Sequence, residues 1–167
     1  ATGTASGTTA LFGDNAWKAV SDVSGLASMQ VFTTLGSQAW TRPTGITKVM
    51  IEVQGAGGSG GKRNSNGAAM GGGGGGGYAK KFLDVSSIAS ATIVVGTGGP
   101  SQTSNDTDGT TGGDSSWADG TNTITGAGGV GGTGTTAYGS SAGGVASAYQ
   151  LNSPAGGHGV VVVTEYK

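Results

Sequence analysis

The 167-residue sequence has no Cys, one His, three Pro and few charges. The lack of Cys rules out disulfides, Cys-based zinc sites and thiol catalysis together. With His158 as the only His, a Ser/His/Asp arrangement has one possible base. It sits between Gly157 and Gly159 just ahead of the last strand, where an ordinary turn residue is expected. No Lys or Arg lies between Lys81 and Lys167, so half the chain has no means of gripping a phosphate backbone, and nucleic acid is not an expected partner. No apolar run approaches the roughly 18 residues of a membrane-spanning helix, and no basic-then-apolar leader opens the chain, which reads as a piece of a longer architecture. Paired carboxylates would have to come from Asp106, Asp108, Asp114 or Asp119, none with apolar neighbours to raise a pKa, so an enzyme is not expected.

Large aliphatic and Phe side chains are also scarce. Leu, Ile, Val and Phe together number 27, against 38 Gly, 22 Thr and 18 Ser. By composition alone that balance reads as low-complexity chain. The formal net charge, however, is only −1, without the self-repulsion that keeps disordered chains open.

Pattern overrides composition from Met29 onward. β-rich runs appear at 29–35, 38–41, 47–54, 78–85, 91–95 and 122–125, and at the closing 158–166. Pro43-Thr44-Gly45 marks a turn, and 86–90 could hold one helical turn. In 47–54, Val49, Ile51 and Val53 alternate with Lys48, Met50, Glu52 and Gln54, which predicts a half-buried strand. Val160 to Val163 is continuous and predicts a strand buried on both faces. Residues 1–30 hold no period and are expected to pack on something else.

Three strands run directly into glycine: Gln54 into Gly55-Ala56-Gly57-Gly58, Val95 into Gly96-Thr97-Gly98-Gly99, and Thr125 into Gly126-Ala127-Gly128-Gly129. Gly71 to Gly77 runs straight into the strand at Tyr78. Glycine inside regular structure costs roughly 0.5 to 1 kcal/mol relative to Ala, so 38 of them cannot mostly sit there. They are either unfolded tethers or packed, extended polyproline-II-like rods whose bare backbones bond to one another. Their placement between strands favours the packed rods.

Several motifs resemble chemistry and fail on context. Gly55 to Gly60 spells G-x-G-x-x-G after a strand, but no helix can start in the Lys62-Arg63-Asn64-Ser65-Asn66-Gly67 that follows. Ala56 to Arg63 misses the phosphate-loop pattern at both ends. Asn105 to Gly109 has the oxygen spacing of a calcium loop without its closing Glu, and reads as a solvated turn. Recognition chemistry remains. Lys62, Arg63, Asn64 and Asn66 form a polar, cationic insertion inside glycine, and Trp117, Tyr138 and Tyr149 are aromatics among small residues, suited to stacking on a sugar or anchoring a contact. Alternatively Trp117 and Tyr149 fill the core, and for Trp117 that alternative is favoured.

Two stretches resemble bacteriophage tail fibres. Gly3 to Trp17 is similar to the tail-fibre segment G-T-A-S-x-x-T-F-L-R-G-D-x-T-W, with Ala10, Phe12 and Ala16 departing from it. Phe32 to Gly61, the glycine run into Tyr78-Ala79, Val94-Val95-Gly96, Asp114-Ser115-Ser116-Trp117 and the closing Gly159 to Tyr166 resemble the glycine-rich C-terminal domain of phage and prophage fibres, which often has Phe where Trp117 stands. The resemblance implies a homotrimeric fibre tip, on a virion or a phage-derived extracellular fibre, that binds a bacterial surface glycan, lipopolysaccharide or outer-membrane protein. It brings no catalytic residues, cofactor or metal. A trimerising cap with no recognition role is the alternative.

The expectation is therefore an all-β, small β-sandwich-like domain with long glycine-rich loops over 29–167, preceded by the end of a stalk at 1–28. It has no nucleic-acid or membrane-inserted partner. Threefold association would also help so few apolar side chains to enclose a core.

Overall fold

In the computed structural model, residues 2, 4–6, 9–11, 13–19, 25–63, 71–134 and 155–167 are described. Ten strands form among them: β1 (Thr9–Leu11), β2 (Trp17–Ala19), β3 (Leu26–Phe32), β4 (Gly36–Thr41), β5 (Lys48–Gln54), β6 (Tyr78–Asp84), β7 (Ser90–Val95), β8 (Ser115–Ala118), β9 (Thr123–Gly126) and β10 (Val160–Tyr166). β1 and β2 make a short hairpin. The other eight form two four-stranded antiparallel sheets, ordered β3-β10-β5-β6 and β4-β7-β8-β9. The described residues contain no helix; 86–87 is a turn.

The turns follow local chemistry. Gly45 has φ of +82°, and the Ile46 N–H donates to the Pro43 carbonyl at 3.2 Å, so Pro43-Thr44-Gly45-Ile46 closes with glycine at the left-handed corner. Between β8 and β9, Asp119 Oδ1 accepts the backbone N–H groups of Thr121 and Asn122 at 2.7 and 2.6 Å. Burial pushes the Asp119 carboxyl up, but the backbone N–H groups of Asn122 and Thr121 more than offset it, leaving its pKa below the usual range.

The two sheets face each other through one apolar layer. Val49, Ile51 and Val53 of β5 alternate inward as their spacing predicts, and meet Trp40, Ile93, Val95, Trp117, Ile124, Val161 and Val163. The rings of Trp40 and Trp117 lie 6.2 Å apart at 56°. At the end of this layer the carboxylate of Glu165, 1 % exposed, accepts from Trp40 Nε1 at 2.8 Å, Gln30 Nε2 at 2.7 Å and Ser28 Oγ. Three donors replace the water that burial removes, as a buried anion requires.

The β10 run departs from expectation. Val161 and Val163 are buried, while Val160 and Val162 are only half-buried, on the outer face of their sheet. The reason is layering: a two-layer sandwich covers only one face of each sheet, and nothing within the described chain lies over the other.

Candidate functional site

Every connection between β5 and β6, β7 and β8, and β9 and β10 is a glycine-rich excursion from the same end of the sandwich. The outgoing and returning arms are 55–62 and 71–77, 96–99 and 107–113, and 126–134 and 155–159. Their backbones bond to one another. In 55–62, the N–H groups of Gly55, Gly58 and Gly61 donate to the carbonyls of Gly77, Gly74 and Gly71 at 2.8, 2.9 and 3.1 Å. Those of Ala56, Ser59 and Lys62 donate to Gly113, Thr110 and Thr107 at 3.1, 2.9 and 2.8 Å. Gly57 donates to Gly157 at 2.8 Å.

Successive residues therefore address three directions, and each direction repeats every third residue. That is the symmetry of a polyproline-II helix, which has three residues per turn and no internal hydrogen bonds. The rod 126–134 repeats the rule, accepting from Gly77, Gly74 and Gly71 on the carbonyls of Ala127, Val130 and Thr133 at 2.7, 2.7 and 3.0 Å. Rod 55–62 sits centrally and bonds to all five others. The packed alternative for the glycine is the one this chain adopts. A Cβ on Gly98 would lie 1.9 Å from the Gly156 carbonyl oxygen, and one on Gly128 1.8 Å from that of Gly112. Backbones this close leave room only for hydrogen.

Side chains also accept lattice N–H groups that are not bonded to a carbonyl of another rod. Ser59 Oγ accepts the Thr110 N–H at 2.8 Å, Ser115 Oγ that of Gly96 at 3.0 Å, Asp114 Oδ1 that of Gly128 at 2.7 Å and Asp108 Oδ1 that of Gly134 at 2.7 Å. His158 Nδ1 accepts from Gly98 at 3.0 Å, so the lone His is a lattice plug. The Gly55 to Gly60 fingerprint cannot cradle a phosphate, because the N–H groups of residues 55–59 are already bonded to carbonyls of other rods.

The direction of the rods fixes where recognition chemistry could sit. Residues 62, 71, 107 and 134 meet at the end remote from the sandwich, with Lys62 and Thr107 exchanging both backbone hydrogen bonds. The loop 100–106 leaves the lattice on that side, and the segments 64–70 and 135–154 lie outside the described residues. The turns 42–47, 85–89 and 119–122, and residue 25, which precedes β3, lie at the opposite end.

Of the candidate recognition residues, Lys62 is buried, 7 % exposed, and its ammonium donates to the Thr103 carbonyl at 2.6 Å. It pins the 100–106 loop rather than facing solvent. Arg63 is half-buried, its Nε 3.9 Å from Asp106 Oδ1. Trp117 is fully enclosed between the sheets, within the sandwich and away from the outer end of the rods. Asn64, Asn66, Tyr138 and Tyr149 lie outside the described residues. At the outer end the structure exposes Ser101, Thr103 and Ser104, which motif reading passed over, and Asn105 of the expected solvated turn, hydroxyls and an amide on a loop held by Lys62 and by Gln102 Nε2 donating to Thr110 Oγ1 at 2.8 Å. The available signal was a glycine-poor polar stretch flanked by glycine on both sides. Among the described residues no group of three His, Cys, Asp or Glu is arranged to hold a metal ion.

A family profile described as a glycine-rich domain matches residues 33–166. Comparison with curated proteins gives no match.

Proposed function

The chain belongs to the glycine-rich domain family, and from that premise we propose that it is the receptor-binding tip of a homotrimeric fibre of the phage tail-fibre kind. It attaches to a bacterial surface glycan, lipopolysaccharide or outer-membrane protein, and does so without catalysis. The observation that carries the reading is the separation of ends: the far ends of the rods, at residues 62, 71, 107 and 134, lie on one side with the polar loop 100–106, and residue 25 leads into the sandwich on the other. A lattice held by main-chain bonds places few demands on the sequence of its connecting loops, so those loops can change to suit a receptor while the scaffold stays fixed. The exposed hydroxyls and amide of 101–105 suit hydrogen bonding to sugar hydroxyls or to a protein loop. Of the segment 1–28, residues 26–28 belong to β3 of the sandwich, and the part before β3 acts as the end of the stalk.

Labelled protein should bind intact host cells, and replacing Ser101, Ser104 and Asn105 together with Ala while exchanging 64–69 for a Gly/Ser sequence of equal length should abolish binding with the circular dichroism spectrum unchanged. Loss of binding after periodate oxidation of the cells identifies a glycan receptor. Undiminished binding by the folded loop variant would rule out the outer end as the recognition site, and no binding by the parent chain to any bacterial surface would leave a structural cap.

A further inference from the structure

The outer face of the β3-β10-β5-β6 sheet has no cover within the described chain, and its composition is not that of a solvated surface. The registers Val162↔Val31, Thr164↔Met29, Tyr166↔Leu26, Thr164↔Met50 and Met50↔Phe82 place these side chains together, with Val160 and Tyr78 at one end. Of the eight large apolar side chains exposed among the described residues, five share this face: Leu26, Met29, Val31, Tyr78 and Phe82. Each is between 52 % and 69 % exposed. Together they present on the order of 500 Å² of surface, near the top of the range for the largest apolar patch on a monomer. The outer face of the β4-β7-β8-β9 sheet shows how this chain meets water: Ser37, Ala39, Thr41, Ser90, Thr92, Ser116, Ala118, Thr123 and Thr125, with Val94 the only large apolar residue.

Two further observations choose the occupant. The four charges on the apolar face are balanced. Lys80 Nζ lies 3.2 Å from Glu52 Oε1, which also accepts the Tyr78 hydroxyl, and Lys48 is paired in register with Asp84. The β3 and β10 half carries no outward charge. Such a face offers nothing to an anionic glycan, an acidic protein or a charged headgroup, whereas a like face brings no unpaired charge to it. Val160 to Val163 also has the pattern of a strand covered on both sides, and the chain supplies one side only.

We infer that this face is the contact between copies of the chain, three of them arranged so that the Leu26, Met29 and Val31 strip of one packs on the Tyr78 and Phe82 strip of the next. The two strips lie at opposite edges of one sheet face, so in a threefold ring each copy has one strip to offer to each neighbour. With Met50, Val160, Val162 and Tyr166 included, each copy contributes an area approaching the roughly 800 Å² per partner of a stable interface. The inference rests on the trimeric form of the proposed function and gives it a surface.

Light scattering with size-exclusion chromatography at micromolar concentration tests it without cells. The parent chain should run at three times its chain mass. Val31→Glu and Phe82→Glu should each bring about a threefold fall in mass with an unchanged circular dichroism spectrum. Thr92→Glu and Thr125→Glu on the opposite face should leave the mass at the parent value. Val162→Thr, which keeps shape and strand propensity, should shift dissociation to roughly tenfold higher concentration, a readout that survives if the glutamate variants fail to fold. A parent chain running as a folded monomer overturns the inference, and so does an unchanged mass in Val31→Glu, Phe82→Glu and Val162→Thr alike. A monomer that still binds cells removes the interface and leaves the receptor reading standing. A trimer that binds no cells does the reverse.

Discussion

The sandwich and the glycine lattice are two solutions to one problem, a dry interior with every polar backbone group bonded. The sandwich fills the gap between its sheets with side chains, two Trp and a set of Val and Ile that bury apolar area. The lattice has nearly no side chains to bury. Its interior is peptide against peptide, and cohesion comes from hydrogen bonds each worth about 1 kcal/mol net, opposed by the large conformational entropy that glycine loses. Such a structure is poorly placed to stand alone. Each of its three hairpins is anchored at both ends in strands, so the sandwich sets the spacing that the rods then satisfy.

The comparison breaks most sharply at a methyl group. Ala in place of Gly98 or Gly128 puts a Cβ within 2 Å of a carbonyl oxygen on another rod, where neither backbone can yield without giving up its own bonds. Each substitution should cost more than about 3 kcal/mol and yield chain that aggregates or melts far below the parent. Gly157→Ala meets no atom within 4 Å and should stay within about 0.5 kcal/mol. Thermal melts of the three variants decide the point. Near-equal melting temperatures would mean that the lattice is loose, and that its glycines are flexible tethers.

How much of this could be read in the sequence differed between the two regions for the same reason. Side-chain alternation marks a strand with one buried face, so β5, β6 and β7 were legible to within a residue or two at each end. β8 was missed, because Ser115-Ser116-Trp117-Ala118 is too short and too small to show a period. In the rods the informative period is three and is carried by backbone bonds, to which the identity of the side chain contributes nothing. The sequence showed where glycine begins and ends, but not which rod lies beside which. Lys62 was misleading for a related reason: a cation in glycine looks exposed, yet at the end of a rod its stem is enclosed and its ammonium finds the Thr103 carbonyl.

In the sandwich, where side chains do the bonding, the effect of a change should depend on the partner of the atom removed. Trp40 Nε1 donates to the buried Glu165 carboxylate, whereas Trp117 Nε1 is buried with no partner. Trp40→Phe and Trp117→Phe leave similar voids between the same sheets, so the difference in unfolding free energy isolates the hydrogen bond. Trp40→Phe should be the more destabilising by about 1–3 kcal/mol, the range for a bond to a charged acceptor left short of a donor. Denaturant titrations that place the two equal, or in the reverse order, would mean that ring volume alone matters in this core.

The smallest effect belongs to the sandwich's outer surface and has no counterpart in the lattice, whose rods carry scarcely any charge. The hydrogen bond from the Tyr78 hydroxyl, then that from Lys80, holds the Glu52 carboxyl below its usual pKa, and the Glu52 carboxylate raises that of Tyr78. A depressed carboxylate contributes stability that is present above its unfolded pKa and is lost as pH falls through the folded one. A raised phenol contributes stability that is present below its unfolded pKa and is lost as pH rises through the folded one. The pair therefore favours folding across the neutral range and fades at both extremes. For Glu52 in the dissociated chain the loss on acidification should stay below about 1 kcal/mol, the range of exposed pairs, and be screened by salt. Glu52→Gln should flatten the acid limb of melting temperature against pH by that small amount and leave the Gly98→Ala penalty unchanged. A large coupling between the two variants in a double-mutant cycle would contradict the separation of the two interiors, since sites so far apart and sharing no partner should add.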